Sequence, residues 1–189
     1  MYLEVPPRLI GTKVFSAMPD AFRRKGVRPD WADANRPGQP TDCFIEGPSF
    51  DADGNLYIVD IPFGRIFRIA PDGKWSLVTE YDGWPNGLKI RADGRVFVAD
   101  YMHSTALRCS PARYAQRGIM ELDVLTHRYV FVFAPNGEVI ARIKSSAGPS
   151  CTNVAIGGKE RDRLYITESV TGTVLSADIG VLDSSLRGA

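Results

Sequence analysis

One eleven-residue stretch occurs twice, forty residues apart, and that repeat constrains the fold more than any other feature of the chain. Phe50–Asp60 (FDADGNLYIVD) aligns with Ile90–Asp100 (IRADGRVFVAD), so that Ala52, Asp53, Gly54 and Asp60 recur as Ala92, Asp93, Gly94 and Asp100. A looser third copy runs from Val154 through Glu168. Each copy reads as a short apolar strand, a turn, and a second β-rich strand ending in a carboxylate. Repetition at about 40 residues is the period of a β-propeller blade, whose unit is four antiparallel strands. A sandwich has no reason to repeat its sequence, so the pattern favours a propeller.

The turns between these runs share a chemistry. Asp53-Gly54, Asp72-Gly73, Asp93-Gly94 and Asn136-Gly137 each separate two β-rich segments. Gly, Asn and Asp tolerate positive φ, which predicts two-residue type I′ hairpins at these sites. Strands are predicted near 48–52, 55–61, 65–70 and 76–81, then 87–92 and 95–101. Val130–Phe133 and Glu138–Ile143 form a further hairpin, and 153–157, 163–168 and 173–178 complete the set. The expected fold is all-β: four-stranded propeller-type blades, about three of them. Residues 1–40 read as an N-terminal arm, with a strand at Thr12–Ala17 that closes the last blade. The blades occupy 41–183, interrupted by an irregular loop at about 102–128.

Composition excludes several function classes. The 189 residues carry 23 Lys+Arg against 22 Asp+Glu, a net charge of +1. That balance argues against a nucleic-acid or polybasic membrane surface. Hydrophobic residues make up 44% of the chain, enough for a packed core. No apolar run approaches the roughly 18 residues of a membrane span, and no secretory signal is visible near Met1. Three cysteines, Cys43, Cys109 and Cys151, lack CxxC spacing and fit a reducing compartment. A cytoplasmic protein is expected. The basic triplet Arg23-Arg24-Lys25 reads as a solvated surface turn.

Candidate functional residues lie at the start of each repeat. Glu46 in Phe44–Pro48, Asn86 in Trp84–Leu88 and Asn153 after Cys151-Thr152 each precede a predicted innermost strand. Innermost strands line the central channel of a propeller, so these three side chains should converge on its axis. Oxygen donors of that kind suit a hard cation such as Ca²⁺. Such a cation can polarise a carbonyl and lower the pKa of water. Gly-flanked Glu and Asn are also ordinary turn residues, and both readings stand at this point. The strand-end acids Asp60, Asp100 and Glu168 recur in register, as a repeated structural hydrogen bond would. His103 and His127 form no ligand pair, and Cys43 and Cys151 read as small buried residues. No GxGxxG, Walker loop, GxSxG elbow or HExxH is present.

The segments Ile45–Pro62, Tyr81–Ile90, Cys151–Gly158 and Leu164–Ser169 together resemble the SMP-30/gluconolactonase/LRE-like family. The resemblance covers about 1–103 and 129–179. It implies a six-bladed propeller with one axial divalent metal, usually calcium (zinc or manganese being alternatives), that hydrolyses lactones or related esters. Glu46 matches the family's metal-binding glutamate in Glu-Gly-Pro. Asn86 matches a Pro-Asn-Gly-Leu motif that holds the metal or lines the pocket, and Asn153 is the candidate for substrate contact. The third-blade Asn-Asp motif, a second Pro-Asn-Gly-Leu and the axial Pro-Asp-Gly have no counterpart here. Gly118–Asp123 resembles the third strand of the second blade, and Val130 onward resembles the penultimate blade. The central blades of the family fold are therefore missing. Setting aside the arm leaves about 149 residues, roughly three and a half blades.

Two functions follow from this. One is a metal-dependent lactone or ester hydrolase acting on a small molecule. The other is a shortened, catalytically impaired propeller that serves as a binding or assembly module; a strictosidine-synthase-like lyase ranks third. A partial ring leaves edges exposed, and a homodimer would complete it.

Overall fold

The computed structural model describes residues 6–27, 29–91, 94, 96–100, 120–122, 129–133 and 139–182. The arm contributes β1 (Arg8–Gly11), β2 (Lys13–Ala17) and one short helix, α1 (Asp30–Asn35). Six strands follow: β3 (Ile45–Phe50), β4 (Leu56–Asp60), β5 (Arg65–Ile69), β6 (Trp75–Glu80), β7 (Pro85–Ile90) and β8 (Val96–Asp100). The rest are β9 (Met120–Leu122), β10 (Tyr129–Phe133), β11 (Val139–Lys144), β12 (Cys151–Gly157), β13 (Arg163–Glu168) and β14 (Thr173–Asp178). No helix among the described residues is long and apolar enough to cross a membrane.

The strands form three four-stranded sheets, β3-β4-β5-β6, β12-β13-β14-β2 and β9-β10-β11-β1, and a two-stranded sheet β7-β8. These are propeller blades, about three in number, as the repeat predicts. The β3-β4-β5-β6 and β12-β13-β14-β2 blades are apolar on both faces because each lies between neighbours, whereas β11 buries Ala141 and Ile143 on one face and exposes Arg142 and Lys144 on the other. Leu56 and Ile58 of β4 face one core, shared with Phe67, Ile69, Trp75 and Val174. Val59 and the partly buried Tyr57, one residue out of phase, face another core containing Ile66, Leu88 and the α1 residues Trp31 and Ala32. Alternate strand residues point to opposite faces, so a doubly covered strand reads as a nearly continuous apolar run. The same logic splits β13, with Leu164 and Ile166 in a third core and Tyr165 packed on the other side. Each fully buried Leu or Ile contributes about 1.5–3 kcal/mol.

The arm binds two blades. β1 lies parallel to β11, with Arg8 opposite Ala141. After one residue, β2 runs antiparallel to β14 as the outer strand of its blade, with Ala17 opposite Thr173. Arg23 departs from the solvated-turn expectation. Its side chain is 14% exposed and donates to Asp42 Oδ1 at 3.0 Å and to the Thr171 carbonyl. It thereby pins the arm to the β13–β14 turn. Arg24 and Lys25 make surface pairs with Glu80 and Asp20.

Three further expectations are corrected. The Asp53-Gly54 and Asp72-Gly73 turns are not type I′, because among the described residues Arg161 is the single non-glycine with positive φ. Instead Gly54 N–H bonds the Asp51 carbonyl, the positive φ falls on Gly54 alone, and Asp51 Oδ1 accepts the Asp53 and Asn55 N–H groups. In the Asp72-Gly73 turn Gly73 N–H likewise bonds the Ala70 carbonyl, but the carboxylate is Asp72, whose Oδ1 accepts the Lys74 N–H. Second, the segment read as the third strand of the second blade is β9, and it pairs with β10 in the β11 blade. Third, the arm contains α1, which Pro29 precedes without a side-chain cap. Asp93, His103, Cys109, His127, the Asn136-Gly137 turn and the 102–128 loop apart from 120–122 lie outside the described residues.

Candidate functional site

Glu46, Asn86 and Asn153 do not precede the innermost strands, as the sequence predicts, but lie inside them. Glu46 is the second residue of β3, Asn86 the second of β7 and Asn153 the third of β12. The reason is a break in pairing near the start of each inner strand. The register shifts between Glu46 and Ser49, between Pro85 and Gly87, and between Cys151 and Asn153. A bulge lets a strand absorb Gly47-Pro48, which a regular inner strand would not tolerate, and re-aims the neighbouring side chain. Gly47 has φ +56, and a Cβ there would stand 2.8 Å from the Asn86 carbonyl oxygen and 2.9 Å from the Leu88 nitrogen. The glycine therefore sets how closely β3 approaches β7.

Two of the three candidates meet. Asn153 Nδ2 donates to Glu46 Oε2 at 2.9 Å, and the Gly47 N–H donates to the same oxygen at 3.1 Å. The Asn153 amide is oriented by its other end, since Oδ1 accepts the Val154 N–H at 2.8 Å. Burial pushes the Glu46 carboxyl up from its ordinary 4.5 to about 7, against the opposing effect of these donors. Asn86 is exposed, and among the described residues no hydrogen bond joins its amide to Glu46.

Sequence reasoning missed the group that holds Glu46. Thr152 Oγ1 lies 3.0 Å from Thr167 Oγ1 and 2.8 Å from Ser169 Oγ. Thr152 and Ser169 both donate to the carbonyl of Ile45, at 3.2 and 2.7 Å. This hydroxyl cluster ties β12 and β13 to the residue before Glu46. Its one sequence signal is the Cys-Thr-Asn context of Thr152, which pairing in space alone makes meaningful.

The strand-end acids behave as anchors. Asp60 is fully buried, accepts the Phe44 N–H at 2.7 Å, and is paired with Arg65 through Nε at 2.9 Å and through Nη2. Glu168, equally buried, accepts the N–H groups of Ser150, Val170 and Thr171 at 3.1, 3.0 and 3.0 Å, and the Thr171 hydroxyl. Phe44 and Ser150 each immediately precede an inner strand, so these acids fix corresponding backbone positions. Tyr81 is pushed up by burial and by its hydrogen bond to Asp100. Cys43 and Cys151 are buried free thiols, pushed up by burial to about 12 and about 11, and are not nucleophiles at neutral pH.

The donors can be weighed against a divalent cation. The Glu46 carboxylate on one inner strand and the Asn86 amide oxygen on another are donors of the type a hard cation takes, whereas Asn153 turns its nitrogen, not its oxygen, toward Glu46. Among the described residues no three His, Cys, Asp or Glu side chains gather, so the remaining ligands would be water. The set matches calcium in kind better than zinc, which prefers nitrogen and sulfur.

No protein-family model matches the chain. It is 23% identical over 205 residues to a gluconolactonase of Zymomonas mobilis, an alignment covering 84% of this chain and 56% of that protein. A 56-residue stretch, 29% of this chain, is 38% identical to 17% of lactonase drp35 of Staphylococcus aureus. The chain thus spans little more than half the length of the longer-matching relative. Among solved structures, regucalcin of Agrobacterium tumefaciens, a calcium-binding protein, matches 75% of this chain and 49% of its own at 17% identity and a TM-score of 0.26. A gluconolactonase of Xanthomonas campestris matches 73% and 38% at 16% identity and a TM-score of 0.22.

Proposed function

We infer, from the premise that this chain is a relative of the SMP-30/gluconolactonase/LRE-like family, that it binds and hydrolyses a small lactone or related ester at Glu46. The observation that carries this reading is the half-buried Glu46 carboxylate held against Asn153 where inner strands converge. In hydrolysis the oxygen of water adds to the lactone carbonyl carbon, the ring C–O bond breaks, and a proton passes to the departing alkoxide. Glu46 Oε1 and Oε2 are the sites that orient the water and hold its proton. Asn153 Nδ2 is a donor suited to a carbonyl oxygen of the substrate. Thr152 and Ser169 hold the Ile45 carbonyl and so keep Glu46 at a fixed depth. A divalent cation, calcium with zinc or manganese as alternatives, would be held by Glu46 with the amide oxygen of Asn86. When bound it supplies Lewis-acid polarisation of the ester carbonyl.

The test is aldonolactone hydrolysis with added Ca²⁺, Zn²⁺ or Mn²⁺, comparing wild type with Glu46→Ala. Faster hydrolysis by the wild type supports the reading, and equal background rates in both defeat it. The single carboxylate in the donor set favours a second reading, a shortened propeller that binds its ligand without turnover. Saturable lactone binding with no hydrolysis would select it. We further propose a cytoplasmic protein in which two copies complete a ring, and light scattering that reports a monomer would remove that assembly.

A further inference from the structure

A cavity of about 580 Å³ lies between helix α1 and the segments that lead into β3 and β12. Its walls include Trp31, Arg36, Gln39, Phe44, Ser150 and Val170. Arg36 is the one charged side chain among its described lining residues, and no carboxylate faces it. A second, smaller cavity of about 250 Å³ has the opposite character, with Asp30 and Asp82 in its wall. The contrast matters because even an open groove lined by one sign of charge favours the opposite sign in its ligand.

The guanidinium of Arg36 is held rather than free to wander. It lies 5.6 Å from the centroid of the Phe44 ring, and its Nη2 donates to Gln39 Oε1 at 2.8 Å. A guanidinium offers five N–H donors in a planar fork, so one bond leaves most of the fork for a ligand. The wall behind it is rigid. Phe44 packs on Trp31 with centroids 4.8 Å apart, and its backbone N–H is fixed by the buried Asp60. Ser150 and Val170 on the far side are fixed by the buried Glu168. Two buried carboxylates therefore hold the walls in place, and their own charge is met by Arg65 and those N–H groups.

We propose that this cavity binds a small organic carboxylate, with the Arg36 fork taking the carboxylate and the Phe44 wall taking its flat apolar body. A planar guanidinium matches a carboxylate with two parallel hydrogen bonds, and stacking on an aromatic ring presets its plane. The site does not depend on hydrolysis at Glu46, which does not line the cavity. One side of it comes from the arm and the other from the segments that lead into β3 and β12.

Benzoate and its neutral isostere benzamide separate the charge from the ring. Calorimetric titration of the whole chain should give saturable benzoate binding, with benzamide at least about tenfold weaker. Arg36→Gln should weaken benzoate by a similar factor and leave benzamide unchanged. Gln39→Glu keeps Arg36 but supplies it with an internal carboxylate, and should cause the same loss even if Arg36→Gln fails to fold. Equal affinity for benzoate and benzamide, no saturable binding of benzoate, or full binding by a folded Gln39→Glu protein would each overturn the proposal.

Discussion

Replacing Glu46 by Gln should stabilise the protein at alkaline pH when divalent cations are removed. The fold raises this carboxyl from 4.5 to about 7 because burial penalises its charge. A raised acid binds its proton more tightly folded than unfolded. Stability from the neutral form is thus complete below about pH 4.5 and is lost as pH climbs through 7. At pH 8 the two titrations differ by about 3 kcal/mol, and partial solvent access trims this toward about 2 kcal/mol. At pH 5 the same difference falls below about 1 kcal/mol. Glutamine keeps an oxygen for the Asn153 and Gly47 donors and cannot ionise. The assay is urea unfolding with EDTA at both pH values, for wild type and Glu46→Gln. The variant should gain stability at pH 8 and lose most of that advantage at pH 5. Added Ca²⁺ should raise the wild type alone, since a ligand that prefers the folded state stabilises it by mass action. A variant that is no more stable at pH 8, or whose advantage does not change with pH, would refute the burial argument.

Two other substitutions probe the frame around the site. Arg65→Leu leaves the Asp60 carboxylate buried without its guanidinium and should cost about 3–5 kcal/mol in chemical unfolding, with much of the loss recovered in an Asp60→Leu/Arg65→Leu double variant. Gly64→Ala puts a methyl group at φ +58 and 1.9 Å from the Tyr81 carbonyl oxygen. It should lower stability by about 2 kcal/mol or more, read as a fall in Tm.

The blades were legible in the sequence because their determinants are local. A strand such as Leu56–Asp60 runs Leu-Tyr-Ile-Val before its terminal carboxylate, and a glycine with φ near +80 ends each hairpin at Gly54 and Gly73. The turn type was misread because Asp-Gly is common to two hairpin families. The Asp51 carboxylate selects between them through bonds to Asp53 and Asn55, outside the dipeptide itself. Strand starts were placed late because Gly47-Pro48 looks like a break, and the bulge that accommodates it is visible only with β4 beside it. Glu46 and Asn153 were both identified, yet their mutual contact spans 107 residues and has no trace in spacing. The same holds for Thr152 and Ser169, whose hydroxyls acquire meaning only against the Ile45 carbonyl. Helix α1 is a single short segment between prolines and carries too few turns to show a period.

The arm that joins two blades also sets an order of events during synthesis. Arg23 leaves the ribosome 148 residues before Thr171, the carbonyl it grips. At about 5–20 residues per second, that interval is roughly 7–30 s. Throughout it, β2 has no β14 to pair with and β1 has β11 for only the last part. The β3–β6 blade, whose four strands are consecutive, can form while the arm is still waiting. The last blade cannot, because its outer strand was made first and its inner three come near the end. Until β14 emerges, the nascent chain holds β2, with the partly buried Phe15, without its partner strand. Its yield in a cell should therefore depend on chaperones that shield that strand more than on the final stability of the ring segment.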